Sequence, residues 1–148
     1  MHGTMSCGHC GAREKGMQIT RETDYAIRCV YYLAGKKDEV IMVDEIAREM
    51  CTPKSFLSKI IQKLARADLV KSYRGVKGGF QLSRDPSKIS LLDVIEAVQG
   101  PVAMNICAVD KKACKLSGTC AIHPVWVDVR AKVERILRSK KISGLKSR

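Results

Sequence analysis

The sequence predicts a mainly α-helical protein with a small β wing, organised as a winged helix-turn-helix followed by a long C-terminal dimerisation helix. Three observations indicate this architecture: successive amphipathic helical segments, one glycine-tipped pair of short strands, and a strongly basic composition. The 148 residues include 27 Lys and Arg against 15 Asp and Glu, a net charge of +12. Such a charge on a short chain favours a polyanionic partner, nucleic acid before a membrane surface.

The first two helical segments are short. After Thr20, apolar residues recur with helical spacing from Ile27 to Ala34, and we expect this helix to end at Gly35. Residues 43–50 predict a second helix of about two turns, with Asp44 as its N-cap.

The third helical segment has one apolar and one polar face. Thr52 can cap it and Pro53 can take the first helical position, where the missing N–H costs nothing. The predicted buried stripe consists of Phe56, Leu57, Ile60, Ile61 and Leu64. The opposite face consists of Ser55, Ser58, Lys59, Gln62 and Arg66.

The segment "LVKSYRGVKGGFQLS" predicts a strand, a glycine turn and a second strand, with Arg74 and Lys77 at the exposed tip. A helix capped by Ser90 follows. In the last helix, apolar residues step by four and three, a spacing that indicates pairing with a second copy. The alternative is an ordinary amphipathic helix packed on its own domain. The apolar seam consists of Ile122, Trp126, Val129, Val133 and Ile136.

The order of these elements predicts a DNA-binding module. In a helix-turn-helix the second helix enters the major groove, where polar side chains read base edges while Lys and Arg neutralise phosphates. Seven basic residues and one acid lie between Pro53 and Gly79, so the charge concentrates where such a fold needs it. The predicted DNA contacts are Thr52, Lys54, Ser55, Ser58, Lys59, Gln62, Lys63, Arg74 and Lys77.

Three cysteines and a histidine follow the DNA-binding module with the spacing C-x6-C-x5-C-x2-H. They are Cys107, Cys114, Cys120 and His123. Thiolates and imidazole select zinc, copper(I) or iron–sulfur clusters. Zinc ribbons favour CxxC pairs, whereas wider gaps suit a loop wrapped around a larger object. The spacing favours an iron–sulfur cluster and leaves zinc or a metal-free thiol site as alternatives.

Several motifs together resemble the Rrf2 family of bacterial regulators: "TDYAIR", "FLSKIIQKL", "LVKSYRGVKGGFQLSRDP", "ISLLDVIEAVQGP" and the downstream cysteine trio. The resemblance runs from Met17 to about Lys140. It implies a homodimer that binds a palindromic promoter site through two winged domains joined by long crossing helices.

The same resemblance implies a cofactor. In IscR-like members three cysteines and a histidine hold a [2Fe–2S] cluster, which we therefore favour over [4Fe–4S]. Cys107, Cys114, Cys120 and His123 match that ligand pattern, except that the first gap is one residue longer. In NsrR-like members the fourth ligand is a carboxylate of the partner subunit, and the partner subunit's Asp24 is the corresponding alternative here.

Five regions are predicted. Residues 1–16, with the lone pair Cys7 and Cys10, are expected to be a disordered leader or an expression remnant. Residues 17–100 form the winged DNA-binding domain, 101–122 the cysteine segment, 123–140 the dimerisation helix and 141–148 a flexible basic tail.

The sequence contains neither a membrane-length apolar run nor a signal peptide, which predicts a cytoplasmic protein with reduced thiols. It has no nucleotide loop or nucleophile–base arrangement, so we do not expect an enzyme. The predicted function is a homodimeric DNA-binding transcriptional regulator, a repressor or an activator, whose promoter affinity is controlled by a labile iron–sulfur cluster that senses iron, redox state or nitric oxide. The alternative is a cluster-free regulator of the same fold, controlled by cysteine oxidation or a partner protein, or with a structural zinc.

Overall fold

The computed structural model describes residues 19–146. Two antiparallel strands, β1 (Val70–Tyr73) and β2 (Gly79–Leu82), lie between the third and fourth of five α-helices. This order confirms the predicted fold class. The predicted leader, with Cys7 and Cys10, lies outside the described residues. The helices are α1 (Arg21–Gly35), α2 (Val43–Glu49), α3 (Lys54–Arg66), α4 (Leu91–Gln99) and α5 (His123–Ser139).

Helix α1 is the centre of the hydrophobic core. Thr20 caps it by accepting a hydrogen bond from the Thr23 amide at 3.2 Å. Ala26, Cys29 and Val30 have no exposed surface, and α1 packs against α3, α4 and β2. Helix α3 and the strand β2 therefore both pack on one buried helix.

The helix-turn-helix is formed by α2 and α3, but the caps differ from the predicted ones. The N-cap of α2 is Met42, and Asp44 lies in the first turn, where a carboxylate stabilises the helix dipole. Helix α3 begins at Lys54, so Pro53 is its N-cap. Thr52 is buried in the turn, where its hydroxyl donates to the Met50 carbonyl at 3.2 Å.

One cysteine lies in the turn itself. Cys51 has φ of 49°, in the left-handed region, and its side chain is exposed. The sequence places both Cys29 and Cys51 at apolar positions of helical segments and so predicts packed thiols. For Cys51 this prediction is wrong, because the chain reverses at this residue to bring α3 across α2. The same expectation for Cys29 is confirmed.

The buried stripe of α3 is confirmed at Leu57, Ile60, Ile61 and Leu64. Phe56 is the exception, since 49% of its surface is exposed. It lies at the edge of the stripe, where its ring meets the ring of Tyr25 edge-on at a centroid distance of 6.2 Å.

The wing is joined to the chain that precedes α2. Ile41 pairs with Phe80 through two backbone hydrogen bonds of 2.9 and 2.8 Å. A Cβ atom at Gly79 would overlap the carbonyl of Ile41, so this close approach requires glycine. Gly79, the last of the three glycines of the wing, is thus explained by packing.

Helix α5 packs on its own chain along one narrow strip. Val133 and Leu137 contact a small core formed by Leu92, Ile95 and Val102. No residue of α5 is fully buried. Val133 of the predicted seam therefore packs on its own domain.

The prediction of a flexible tail after residue 140 is wrong for residues 141–146. The Ile142 amide donates to the Ile89 carbonyl at 2.9 Å, and the Ile142 side chain is 1% exposed in the main core. Ile142 and the partly buried Leu145, which lie among basic residues, hold this part of the chain on the core. Residues 147–148 lie outside the described part.

None of the helices described between residues 19 and 146 combines the length and apolarity that a membrane crossing requires.

The end of α4 gives a stability prediction. Gly100 has φ of 89° and ψ of −169°, a region that is essentially restricted to glycine. We expect Gly100→Ala to lower the free energy of unfolding by about 1–3 kcal/mol, measured by urea denaturation. Gly35→Ala is the matched control, because a Cβ there meets open space, and it should change the value by less than about 0.5 kcal/mol. Equal effects of both variants would contradict the assigned role of Gly100.

Candidate nucleic-acid interface and cysteine site

One face of α3 is free of the core. Because its apolar stripe is buried, helical geometry turns the opposite side chains outward. All five are exposed, and we call them the recognition face: Ser55, Ser58, Lys59, Gln62 and Arg66. These side chains supply hydroxyl, amide and cationic donors, the groups that read base edges and bind phosphates.

The wing stands beside the recognition face. A cleft of about 260 Å³ separates them and is lined by Ser58 and Gln62 from α3 and by Ser72 from β1. Arg74 and Lys77 are exposed at the tip, and Val76 between them is fully exposed. The tip of the wing therefore presents two exposed cations.

Seven of the nine predicted DNA contacts lie on the exposed surface of α3 or the wing. Lys54 is one of them, although its ammonium also lies 2.6 Å from the Asp44 carboxylate. The Ser58 hydroxyl donates to the Lys54 carbonyl at 3.2 Å, which leaves its oxygen lone pairs outward. The seven are Lys54, Ser55, Ser58, Lys59, Gln62, Arg74 and Lys77.

Two predicted contacts are turned inward, and we correct them. Thr52 is buried in the helix-turn-helix turn. The ammonium of Lys63 lies 2.8 Å from the Glu22 carboxylate and 3.1 Å from the Val98 carbonyl. Both residues are occupied by the protein itself, because their positions on α3 and its turn face neighbouring elements rather than solvent.

The basic charge between Pro53 and Gly79 remains available despite the loss of Lys63. The other six Lys and Arg side chains of this stretch are exposed. Each exposed cation can neutralise a phosphate and release a counterion, which gives sequence-independent, salt-sensitive affinity for DNA. The electrostatics of the surface therefore suit a nucleic-acid partner.

The cysteine segment, residues 101–122, leads from α4 to α5 without a regular α-helix. It contains short 3-10 turns at Ile106–Ala108 and Lys111–Ala113. Cys107 is buried in the first turn, whereas Cys114 and Cys120 are partly exposed. The three thiols therefore differ in accessibility.

Arg130 of α5 ties down the turn that carries Cys107, and sequence reasoning missed it. Its guanidinium donates to the Ala108 carbonyl at 2.7 Å and to the Glu134 carboxylate at 2.7 Å. Both side chains are less than a quarter exposed. The i, i+4 spacing of Arg130 and Glu134 was visible in the sequence, but the contact with Ala108 is a product of the fold.

The donor types of the cysteine segment fit an iron–sulfur cluster. His123 opens α5, and its Nδ1 atom is buried without a hydrogen-bond partner, as expected of a nitrogen kept for another ligand. Across residues 19–146, however, no three His, Cys, Asp or Glu side chains converge as they would around one metal ion. The residues fit by chemistry, but their side chains do not converge in this structure.

Asp24, the alternative ligand, is engaged on its own helix. Its carboxylate lies 2.8 Å from the Arg28 guanidinium, one turn further along α1, and both side chains are 49% exposed. This ion pair accounts for Asp24 without a metal.

The sequence profile of the Rrf2 family, described as an iron-dependent transcriptional regulator, matches residues 19–147. The chain belongs to the Rrf2 family. Protein aau3 of Rhizobium meliloti is 36% identical to this Rrf2 protein over 108 residues, 72% of this chain and 70% of that one. The HTH-type transcriptional regulator NsrR of Bacillus licheniformis is 31% identical over 111 residues, 74% and 78% of the two chains.

Solved structures show the same fold. CymR, the global cysteine regulator of B. subtilis, matches with a TM-score of 0.69 at 24% identity, over 85% of this chain and 93% of that chain. IscR of T. potens matches with a TM-score of 0.66 at 24% identity, over 86% and 85% of the two chains. The family match shows that this Rrf2 protein is a DNA-binding transcriptional regulator, and the solved structures show that its fold is that of the Rrf2-type winged-helix regulators.

The accessibility of the thiols gives a chemical prediction. Burial raises the pKa of the Cys29 thiol to about 12, so at neutral pH it is both shielded and protonated. We expect iodoacetamide to modify Cys51, Cys114 and Cys120 of the folded, metal-free protein, Cys107 more slowly, and Cys29 only after unfolding. Peptide mass spectrometry measures each site, with guanidinium-unfolded protein as the control. Rapid modification of Cys29 in the folded protein would contradict its place in the core.

Proposed function

We propose that this Rrf2 protein is a cytoplasmic homodimer whose affinity for a palindromic promoter site is controlled by a labile iron–sulfur cluster on the cysteine segment. The observation that carries the proposal is that one short chain has both a surface suited to DNA and a set of residues suited to a metal cluster. An exposed basic recognition face stands beside a wing, and three thiols and a histidine with an unpartnered Nδ1 atom lie between α4 and the start of α5. The description of the family as iron-dependent supports the same conclusion.

The recognition face is proposed to enter the major groove. Ser55, Ser58 and Gln62 present short polar groups to base edges, while Lys59 reaches phosphates. Arg74 at the wing tip is proposed to enter the adjacent minor groove, where negative potential attracts a guanidinium.

The homodimer is supported by the unpartnered side of α5. Val133 and Leu137 pack on their own domain, but Val125 and Ile136 of α5, and Ile122 just before it, remain about half exposed or more. A second copy of α5 would cover these side chains by coiled-coil packing. Two-fold symmetry would then set two recognition helices about 34 Å apart, the spacing of half-sites on one DNA face.

The cluster is proposed to be held by Cys107, Cys114 and Cys120, with His123 as the fourth ligand. We favour [2Fe–2S] on the resemblance to IscR-like members, and the partner subunit's Asp24 is the alternative ligand. When bound, such a cluster supplies a redox-active centre that oxygen, nitric oxide or iron shortage can remove.

The cysteine segment is suited to act as a switch. Ordering a free segment costs roughly 1–2 kcal/mol per residue, whereas allosteric couplings are typically about 1–3 kcal/mol. Ordering of a few residues of the segment is therefore enough to supply an allosteric coupling of this size. Arg130 keeps the Cys107 turn docked on α5, so closing involves chiefly the region that carries Cys114 and Cys120.

The alternative is a cluster-free regulator that responds through its cysteines or a partner protein, or that holds a structural zinc. The absence of converging ligands among residues 19–146 favours it. Iron and sulfide assays after anaerobic purification separate the two functions.

The wing assignment predicts a loss of DNA affinity. We expect Arg74→Ala to weaken binding to the promoter site by about 1–3 kcal/mol at fixed salt, because one minor-groove contact is lost. Fluorescence anisotropy with a labelled duplex measures it. Arg28→Ala, which removes an exposed arginine outside the interface, is the control. Unchanged binding by Arg74→Ala would exclude the wing from the interface.

The cluster assignment predicts a loss of iron. We expect Cys107→Ala, Cys114→Ala and Cys120→Ala each to abolish the cluster, to leave a folded dimer by sedimentation velocity, and to alter affinity for at least some sites. His123→Ala should retain a weaker cluster, because water or the partner subunit's Asp24 can replace one ligand.

Cys51→Ala is the matched control, since Cys51 is exposed but lies in the helix-turn-helix turn. It should bind iron and DNA like the parent. If the three cysteine variants bind every tested promoter like the cluster-loaded parent, the cluster is not the switch.

A further inference from the structure

Lys63 differs from the other cations of the DNA-binding domain in what it contacts. Its side chain is 35% exposed, and its ammonium lies 2.8 Å from Glu22 Oε2 of α1 and 3.1 Å from the Val98 carbonyl of α4. One side chain of the recognition helix therefore bonds to two other helices. Lys59, one turn earlier on the same helix, is exposed.

The carbonyl that Lys63 binds belongs to the last turn of α4. Carbonyls at a helix C-terminus have no partner within the helix and carry the negative end of its dipole, so an ammonium is a favourable donor to them. The hydrogen bond from Lys63 to the Val98 carbonyl therefore forms only when the C-terminal end of α4 lies at this position. Glu22, itself 30% exposed, balances the charge that Lys63 brings into this half-buried place.

The end of α4 is also bonded to the start of α1. Gln99 Oε1 accepts hydrogen bonds from the Thr20 amide at 3.1 Å and from the Thr23 hydroxyl at 3.0 Å, and Thr23 is fully buried. Gly100 follows, and Pro101 begins the cysteine segment. Only Gln99 and Gly100 separate the carbonyl bound by Lys63 from that segment, so little chain is available to absorb a displacement.

We propose that Lys63 is a positioning residue through which the cysteine segment sets the placement of the recognition helix. The inference rests on the proposed function, in which the state of that segment controls DNA affinity. When the segment holds the end of α4 in place, Lys63 ties the C-terminal half of α3 to α4 and α1. When the end of α4 shifts, the bond to Val98 is lost and α3 is free to move relative to the wing.

The test separates a positioning role from a DNA contact. Lys63→Met keeps the length of the side chain and removes both bonds, and Lys59→Met is the matched control on the exposed face. Each is combined with Cys107→Ala in the full-length protein. Affinity for a duplex selected in vitro with the parent protein is measured by anisotropy under anaerobic conditions over a series of salt concentrations.

We expect Cys107→Ala to change affinity by about 5-fold or more in the parent and in Lys59→Met, the usual size of an allosteric coupling. In Lys63→Met the change should fall below about 2-fold. The slope of log affinity against log salt should drop by about one in Lys59→Met, which loses a phosphate contact, and stay at the parental value in Lys63→Met. Lys63→Arg, which keeps the donor and the charge, should restore the full response.

Three outcomes would overturn the inference. If Cys107→Ala changes DNA affinity in the Lys63→Met protein as much as in the parent, Lys63 does not transmit the state of the segment. The proposed function would remain intact. A drop of one in its salt slope would make Lys63 a phosphate contact. No response to Cys107→Ala in the parent would remove the proposed function and the inference with it. If Lys63→Met does not fold, Glu22→Gln takes its place, because it keeps the Lys63 ammonium but removes its counter-charge. Glu22→Gln should also reduce the change in DNA affinity caused by Cys107→Ala.

Discussion

The burial of α1 is the constraint on which the other elements depend. Its apolar side is completely enclosed at Ala26, Cys29 and Val30, and α3, α4 and β2 all pack against it. Because the apolar stripe of α3 is buried against the core, the opposite side of the helix can carry exposed polar residues. The Tyr32 hydroxyl donates to Glu45 at 2.7 Å, which adds a polar link from α1 to α2. That bond, followed by burial and the charge of Glu45, raises the pKa of Tyr32 to about 12.

Helix α4 connects the winged helix-turn-helix to the cysteine segment. Ser90 and Asp93 form a capping box at its start, and burial opposes ionisation of Asp93. Hydrogen bonds from the Ser90 amide and hydroxyl outweigh that burial, so the pKa of Asp93 lies below its usual value. The cysteine segment leaves from the end of α4 and returns to it through α5, which packs on Leu92 and Ile95. A segment anchored at both ends on one helix can transmit its state to that helix.

The sequence predictions succeeded where a local pattern was decisive and failed where partners were distant. The stripe of Leu57, Ile60 and Leu64 followed from helical period alone, whereas Phe56 turned to Tyr25 of another helix. The charge of the tail predicted a flexible segment, yet the buried side chain of Ile142 packs in the main core. The spacing of the three cysteines indicated that they bind one metal centre together, but spacing does not show whether the thiols converge in the fold.

The sequence by itself determined the order of the helices, the wing between β1 and β2, the charge that favours DNA, and the thiols that suit a metal. Each of these depends on periodicity, on turn residues or on composition, which act over a few neighbouring positions. Only the tertiary structure decided which cations remain free, because Lys63 and Glu22 are 41 residues apart and meet through the packing of α1 on α3. It likewise decided that Arg130 holds the Cys107 turn, since Ala108 and Arg130 are brought together by the return of the chain onto α4.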